Sequence, residues 1–471
     1  MNASAPPPTR PEHPPERVLR QILHSLRLPG GHEGDILKPA LIALLMVVAT
    51  CLVPRLRHPL PATHPVDFNV YYTASLLVHE GHASALYTGA DTGADPQKAI
   101  AAVDTPIYRA AQSQGLSFVG LYVYPPLLAD LLLPLTMVGL KSASQIWLMA
   151  NGVFLLVTAL LLIRLLRISM FSAKALLVVV PLVCFTPALQ CLVDGQITIF
   201  LLLLWAAGMV LYKDDHVAAA GVVFALATAI KLTPAVVLLP FLIWRTWRFV
   251  GAFLATLLCL AALCLWVDTP QTFVNYFTHV MPAMSGAIPF LTNFSLAAAT
   301  QRLITVLRTG YVAPFPDALA TSTVLAGRIT AAGTLLALLG LIAHVGKGLG
   351  RRDRVMVLGL LSLAAPVLSP VSWFHAYAMA FIAFALLWQE ALRKTVSTVY
   401  LVALTAVSLL LGSAVSENAL PTLMYSGQHA MLASCLQFGQ LALALAVIFY
   451  RIWEMRDGSI GPDTRTRPAI A

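Results

Sequence analysis

A chain of 471 residues that is 58% hydrophobic and only 11% charged is not an ordinary soluble domain, in which about a quarter of residues carry charge. Mean hydropathy is +0.79, and apolar runs recur from residue 36 towards the C-terminus, each long enough to cross a hydrocarbon core of about 30 Å. A β-barrel would show short alternating segments instead, so the expected fold class is an all-α polytopic membrane protein. The net charge of +9 calls for no nucleic acid, because membrane proteins concentrate Lys and Arg in cytoplasmic loops.

The six cysteines, Cys51, Cys184, Cys191, Cys259, Cys264 and Cys435, all lie in or at the ends of apolar runs. None has CxxC or His-paired spacing, so neither a disulfide framework nor a zinc site is indicated. No Walker A or strand-borne GxGxxG sequence occurs, which argues against a nucleotide-driven pump.

Residues 1–35 are rich in Pro and Arg; such a composition buries too little surface to fold alone and reads as a disordered cytoplasmic tail. A first span follows at about 36–53. Residues 55–120 form a polar outer loop with Asp67, Glu80, Asp91, Asp95 and Asp104, and its helix-compatible patterns suit juxtamembrane helices lying along the surface. The run 121–140 either crosses or enters and returns. Returning places most of the 30 basic residues on the cytoplasmic side, as the positive-inside rule prefers.

The remaining spans are then expected at about 145–163, 175–192, 196–212, 217–230, 233–246 and 249–267, and at 323–345, 355–370, 373–390, 396–412 and 430–450. That gives about 12 transmembrane helices with both termini inside. An N-terminal membrane module (36–247, carrying loop 55–120) precedes a C-terminal one (248–450) and a cytoplasmic tail (451–471).

Two breaks stand out. Pro234, shortly after Lys231, removes a backbone donor and clashes with the preceding turn, so 217–246 divides into two short helices meeting at the outer face. Ser369, Pro370 and Trp373 divide 355–390 in the same way. Irregular backbone at membrane depth is tolerated only where protein or water covers it.

This topology gathers Asp67, Tyr124 with Pro125 and Pro126, Asp194 with Gly195 and Gln196, Lys231, His279, Asn293, Arg302 and His375 on the outer side. Lys231 is either a cation for a lipid phosphate, as the cost of an intramembrane lysine suggests, or a lysine snorkelling to the interface. Asp194, Gly195 and Gln196 are either an ordinary turn or a place where a glutamine meets sugar hydroxyls. Arg302 could clamp phosphate bidentately or sit on a helix surface. His375 could carry a proton or be a hydrogen-bonded interfacial residue. Asp67 could be a reactive carboxylate or a helix cap.

The ordered set resembles glycosyltransferase family 87. It consists of Asp67, Phe68, Tyr71 and Tyr72; Gly81, Leu86 and Tyr87; Tyr124, Pro125 and Pro126; Gly195 and Gln196; Ala220 and Gly221 through Lys231 and Pro234; Asn293, Ser295 and Arg302; and Ser369, Pro370, Trp373 and His375. The match spans about residues 36–390. Within that family the pattern is similar to the mycobacterial polyprenol-phosphate-mannose-dependent mannosyltransferases, which have the GT-C fold.

The resemblance implies a hexosyltransferase, commonly a mannosyltransferase, of the plasma membrane with its active site facing the periplasm or outside. The donor is a polyprenyl-phosphate sugar, and the acceptor is a lipid or glycan. The catalytic aspartate of the family maps onto Asp67, as general base in one inverting displacement. Charge and position suggest phosphate contacts from Lys231, Arg302 and His375, with Tyr71, Tyr72, Tyr124, Gln196 and Asn293 towards sugar or acceptor. Because Lys and Arg can supply the positive charge, no cofactor is required; a divalent metal stays open, since Asp67, Asp91 and Asp95 could fold together. The competing reading is a polytopic transporter or flippase of lipid-linked sugars, whose broken helices would line a path; it would favour internal symmetry, and none is evident between the halves.

Overall fold

The computed structural model describes residues 66–88, 105–117, 119–170, 172–285, 290–311, 319–394, 396–413, 423 and 429–457. The expected first span at 36–53, the tail at 1–35, residues 458–471 of the expected tail 451–471, and Cys51, Asp91, Asp95 and Asp104 lie outside the described residues; residues 451–457 are helical. Among the described residues the chain is helical, with a single isolated bridge between Asn293 and Trp373 and no strand.

Helix α1 (Val66–His79) opens the described chain and is buried from Phe68 to Val78. Pro125 and Pro126 start a short helix, α2 (Pro126–Leu132), as proline in the first turn favours. A 3-10 segment (Leu133–Val138) then leads into α3 (Gly139–Leu165). The run 121–140 is therefore a bent lead-in to α3 and not an independent helix. The whole stretch from Pro126 to Leu165 is 40 residues, about 60 Å if fully helical and twice what a bilayer core requires.

Next come α4 (Ala173–Cys184) and α5 (Thr186–Asp194), bent by 50° at their junction. Pro187 in the first turn of α5 explains the break, since its ring leaves no room for a continuous helix through Phe185. After them run α6 (Thr198–Lys213), α7 (Val217–Ile230) and α8 (Trp247–Val267). The C-terminal half contributes α9 (Leu296–Thr309), α10 (Thr321–Val345), α11 (Arg351–Leu368), α12 (Ala380–Ala391), α13 (Thr398–Gly412) and α14 (Ala430–Glu454).

Boundaries expected from hydropathy are close to these helices among the described residues. Among the described residues, four helical stretches are long and apolar enough to cross a membrane: 126–165, α8, α10 and α14; the bent pair of α4 and α5 makes a fifth. Helices α6, α7 and α13, of 14 to 16 residues, fall short of the roughly 20 residues a perpendicular crossing needs. The described helices are thus a mixture of full-length ones and shorter pieces, several ending at breaks.

Helices α7 and α8 approach closely because Gly221 has no side chain; a Cβ there would meet the Phe249 carbonyl oxygen at 2.6 Å. Small residues permit such crossings in membrane bundles. Near the opposite end of the chain, Arg451 of α14 is buried and forks onto Glu390 of α12, with Glu454 one turn along also in contact. A buried pair of this kind is costly to break from one side only.

Asp268, the residue after α8, is 8% exposed. Its oxygens and those of Asp130 in α2 find no hydrogen-bond partner beyond the Cys264 thiol beside Asp130. Burial, and then the charge of Asp130, push the Asp268 carboxyl up to about 7. A carboxyl raised in the folded state contributes stability that is full below its unfolded value near 3.8 and is lost as pH rises through about 7. Asp268→Asn should therefore flatten the fall in melting temperature between about pH 4 and 7 and raise stability at pH 8, on the order of 2 kcal/mol. Thermal melting in detergent across that range checks it.

Candidate active site

Asp67 sits in the first turn of α1, half-buried. Four residues later on the same face, Tyr71 is fully buried, and its hydroxyl bonds to Gln196 Oε1 at 2.8 Å and to the Tyr124 hydroxyl at 3.0 Å. The Tyr71 and Tyr124 rings meet edge to face at 5.1 Å. Phe68 stacks on Trp147 of α3 at 5.7 Å, and Trp147 Nε1 donates to the Gly195 carbonyl at 2.7 Å. Gly195 takes φ +66° at the end of α5, a left-handed conformation that suits glycine. That turn brings the buried Gln196 under Tyr71 while its backbone N–H bonds back to Cys191.

Three further elements complete the site. Asp194, last residue of α5, receives hydrogen bonds from Gln190 on both carboxylate oxygens, at 3.0 and 2.9 Å. His375 follows the break at residues 369–373 in a 3-10 segment (Phe374–Met379). It is 6% exposed, with Nδ1 4.0 Å from Asp194 and Nε2 buried without a partner. Asp67, Asp194 and His375 each bring one donor atom within 4.8 Å of the others. Lys231 lies in extended backbone just past α7, with its ammonium 5.6 Å from the centre of the Tyr124 ring, a cation–π distance. Its charge acts on Asp67.

The spacing of the two carboxylates and the imidazole would admit a metal ion, and it is the one such group among the described residues. The positive charge of Lys231, which acts on Asp67, opposes a second cation there. The Asp67 carboxyl is pushed up to about 7, by burial first and the Asp194 charge second; a Gln196 hydrogen bond and Lys231 work in the opposite direction. A carboxyl poised near neutral pH is matched to proton transfer. Beside Lys231, a narrow cleft with an internal volume of about 20 Å³ lies between the two chain breaks. Its polar lining includes Thr198, Thr233, Ser369 and Ser372, and its apolar lining includes Trp205 and Pro366.

Of the residues singled out from sequence, Asp67, Tyr71, Tyr124, Gln196, Lys231 and His375 come together. Tyr72 is buried against Phe68. Asn293 and Arg302 do something else. Asn293 Oδ1 accepts from the backbone N–H of Ser295 and of Ser372, and its amide donates to Pro370, so it staples the 290–295 segment to the second break. Arg302 of α9 is wholly buried and donates to the carbonyls of Phe290 at 2.5 Å and Asn293 at 2.7 Å, and to Gln437 of α14. Arg302→Ala should lower stability by about 3 kcal/mol or more, because three buried acceptors lose their donor; thermal melting reads this, and donor affinity read alongside separates bracing from phosphate contact.

Asp194, gathered on the outer side by the sequence reading but given no role there, comes beside Asp67 in the structure. The available signal was a carboxylate ending an apolar helix, which is expensive at membrane depth. Trp147 and Gln190 carry no such signal, and only packing reveals them.

An all-helical membrane chain whose broken helices turn carboxylates, an imidazole, a lysine and tyrosines onto one point has the make-up of a membrane enzyme. The model of glycosyltransferase family 87 matches residues 122–370, and the chain belongs to that family. No curated protein matched the sequence. The matched region contains Tyr124, Asp194, Gln196, Lys231, Asn293 and Arg302; Asp67 and His375 lie outside it and join the site through tertiary packing. Family membership makes the protein a membrane glycosyltransferase, and the transporter alternative is set aside.

Proposed function

We propose that the protein transfers a hexose, mannose by preference, from a polyprenyl-phosphate donor to a hydroxyl of a lipid or glycan acceptor on the outer face of the membrane, with inversion and with Asp67 as general base. The observation that carries the reading is the meeting of Asp67 and Lys231 across Tyr71, Tyr124 and Gln196, beside a cleft that runs from hydroxyls to apolar side chains.

In this reading the donor phosphate rests by Lys231 at the mouth of the cleft, with Thr233 and Ser372 near enough along the lining to meet phosphate oxygens, and the first isoprene units lie against Trp205 and Pro366. The sugar projects towards Asp67, where Gln196 and the two tyrosine hydroxyls meet its own hydroxyls. The acceptor O–H gives its proton to Asp67 as its oxygen bonds to the anomeric carbon. The bond from that carbon to the phosphate oxygen breaks, and the electron pair leaves with polyprenyl phosphate, whose added charge Lys231 stabilises. His375, close to Asp194 with Nε2 free, is the second polar group turned towards the same space. Arg302 acts at one remove, by holding the 290–295 segment against the second break.

Reconstitution in vesicles with labelled polyprenyl-phosphate mannose, followed by mass analysis of glycosylated lipids, tests the proposal. Consumption of the donor with a new α-mannoside supports it when the donor is β-linked. Consumption only of another polyprenyl-phosphate hexose overturns the choice of mannose, and a retained anomeric configuration overturns the single displacement.

A further inference from the structure

Asp67 has two neighbours with opposite effects. Lys231 is needed for a phosphate, yet its positive charge favours the ionised form of Asp67 and so makes it a weaker proton acceptor. A site built only from Asp67 and Lys231 would hold its base ionised at the expense of its base strength. A counterweight that the transfer reading does not use is Asp194, whose carboxylate brings an oxygen within 4.8 Å of the Asp67 carboxylate and of the His375 imidazole.

Asp194 is held there firmly. Gln190, one helical turn earlier, donates to both of its oxygens. The helix that carries it ends in the left-handed Gly195, whose carbonyl is tied to Trp147, and Trp147 in turn stacks on Phe68, the residue next to Asp67. The position of Asp194 relative to Asp67 is thus set by one short chain of contacts. We propose that Asp194 is a positioning residue of the transfer step, a fixed second negative charge that keeps Asp67 a competent proton acceptor beside Lys231. This rests on the reading of Asp67 as the base.

The groups that face Asp67 are Tyr71 on its own helix, Tyr124, Cys191 and Asp194 at the α5 end, Lys231 past α7, and His375 after the second break. Of these, Asp194 is the carboxylate and Lys231 the ammonium; they push the proton affinity of Asp67 in opposite directions. Two like charges sharing a pocket drive their proton affinities apart. Gln190 hydrogen-bonds both Asp194 oxygens and fixes that carboxylate in place, and burial and the Asp194 charge together raise the proton affinity of Asp67.

The test is the pH dependence of kcat/KM in vesicles for wild type, Asp194→Asn and Asp194→Glu, with labelled polyprenyl-phosphate mannose as donor. For Asp194→Asn the acid limb should move to lower pH by about one unit or more, turnover above the limb should fall several-fold, and the donor KM should change little. Asp194→Glu should bring the limb back towards its wild-type position. A limb that stays in place in Asp194→Asn, with or without loss of turnover, overturns the inference. If Asp194→Asn fails to fold, Asp194→Ser gives the same reading with the same two outcomes. The profile of Asp67→Asn keeps the layers apart: if that variant retains turnover, the base assignment fails, whereas an inactive Asp67→Asn with an unmoved limb in Asp194→Asn sinks only the role of Asp194.

Discussion

Asp67→Asn should abolish glycosyl transfer, with a loss of about 10²–10⁴-fold, while leaving the fold and donor binding in place. Asn fills the same volume and can still accept from Gln196, but it cannot take a proton from an attacking hydroxyl. The wild-type profile should carry the same signature. Because Asp67 is held at about 7 and must be ionised to act, kcat/KM should climb as pH rises through about 7 and fall below it. Removing a buried, charge-crowded carboxylate should not weaken the fold. A carboxyl whose folded value is raised contributes least stability above that value, so Asp67→Asn should melt no lower than wild type at pH 8. Near-normal turnover in a folded Asp67→Asn protein would end the base assignment, leaving Asp67 as a residue of the α1 entry.

Lys231→Ala should act on the donor. A charge-assisted hydrogen bond to phosphate is worth about 1.5–3 kcal/mol, so donor affinity should fall roughly 10- to 100-fold, and turnover at saturating donor should fall as well because charge gathers on the departing phosphate. The sign on the base opposes this: without Lys231, Asp67 becomes harder to ionise, and the acid limb should move to higher pH. An affinity change and a limb displacement in that direction belong together if Lys231 bridges phosphate and base. Unchanged donor affinity in Lys231→Ala would mean that the lysine serves packing over the Tyr124 ring and not the lipid phosphate. Arg is a poor substitute, since its planar fork is longer and shaped differently from a compact ammonium.

The two predictions draw on different parts of the molecule. Asp67 precedes the region that matches the family model, while Lys231 lies inside it. Sequence order offers no reason to pair them, and the pairing comes from packing: α1 lies against α2 through the Ser75 hydroxyl and the Ala129 carbonyl, and Tyr124, just before α2, stands between Tyr71 and Lys231.

Much of the architecture was legible without coordinates. Hydropathy and length alone make the chain helical and membrane-embedded, because a backbone in lipid must satisfy its own hydrogen bonds. Pro234 and Pro370 announce the two breaks, since proline cannot continue the hydrogen-bonding ladder; α7 indeed stops at Ile230 and α11 at Leu368. Hydropathy could not say which apolar runs are full crossings, because a half-length helix ending at a covered break is as apolar as a complete span. Among the described residues a few helices are full-length and several are short. Asn293 and Arg302 show a related limit. Their polar chemistry suits a ligand as well as a neighbouring carbonyl, and only the positions of Pro370, Phe290 and Gln437 reveal that protein groups take their hydrogen bonds.

By itself, then, the sequence determined the solvent this protein folds in, the places where its helices must stop, and a short roster of polar residues too expensive to leave at membrane depth without purpose. The tertiary structure decided which of them meet. It joined Asp67 to Asp194, His375 and Lys231 across more than 300 residues of chain, and it set Arg302 and Asn293 to bracing. The reason is physical: burial cost is a property of a residue type and can be read one position at a time, whereas charge balance and hydrogen-bond satisfaction belong to pairs, and pairs exist only once the helices have packed.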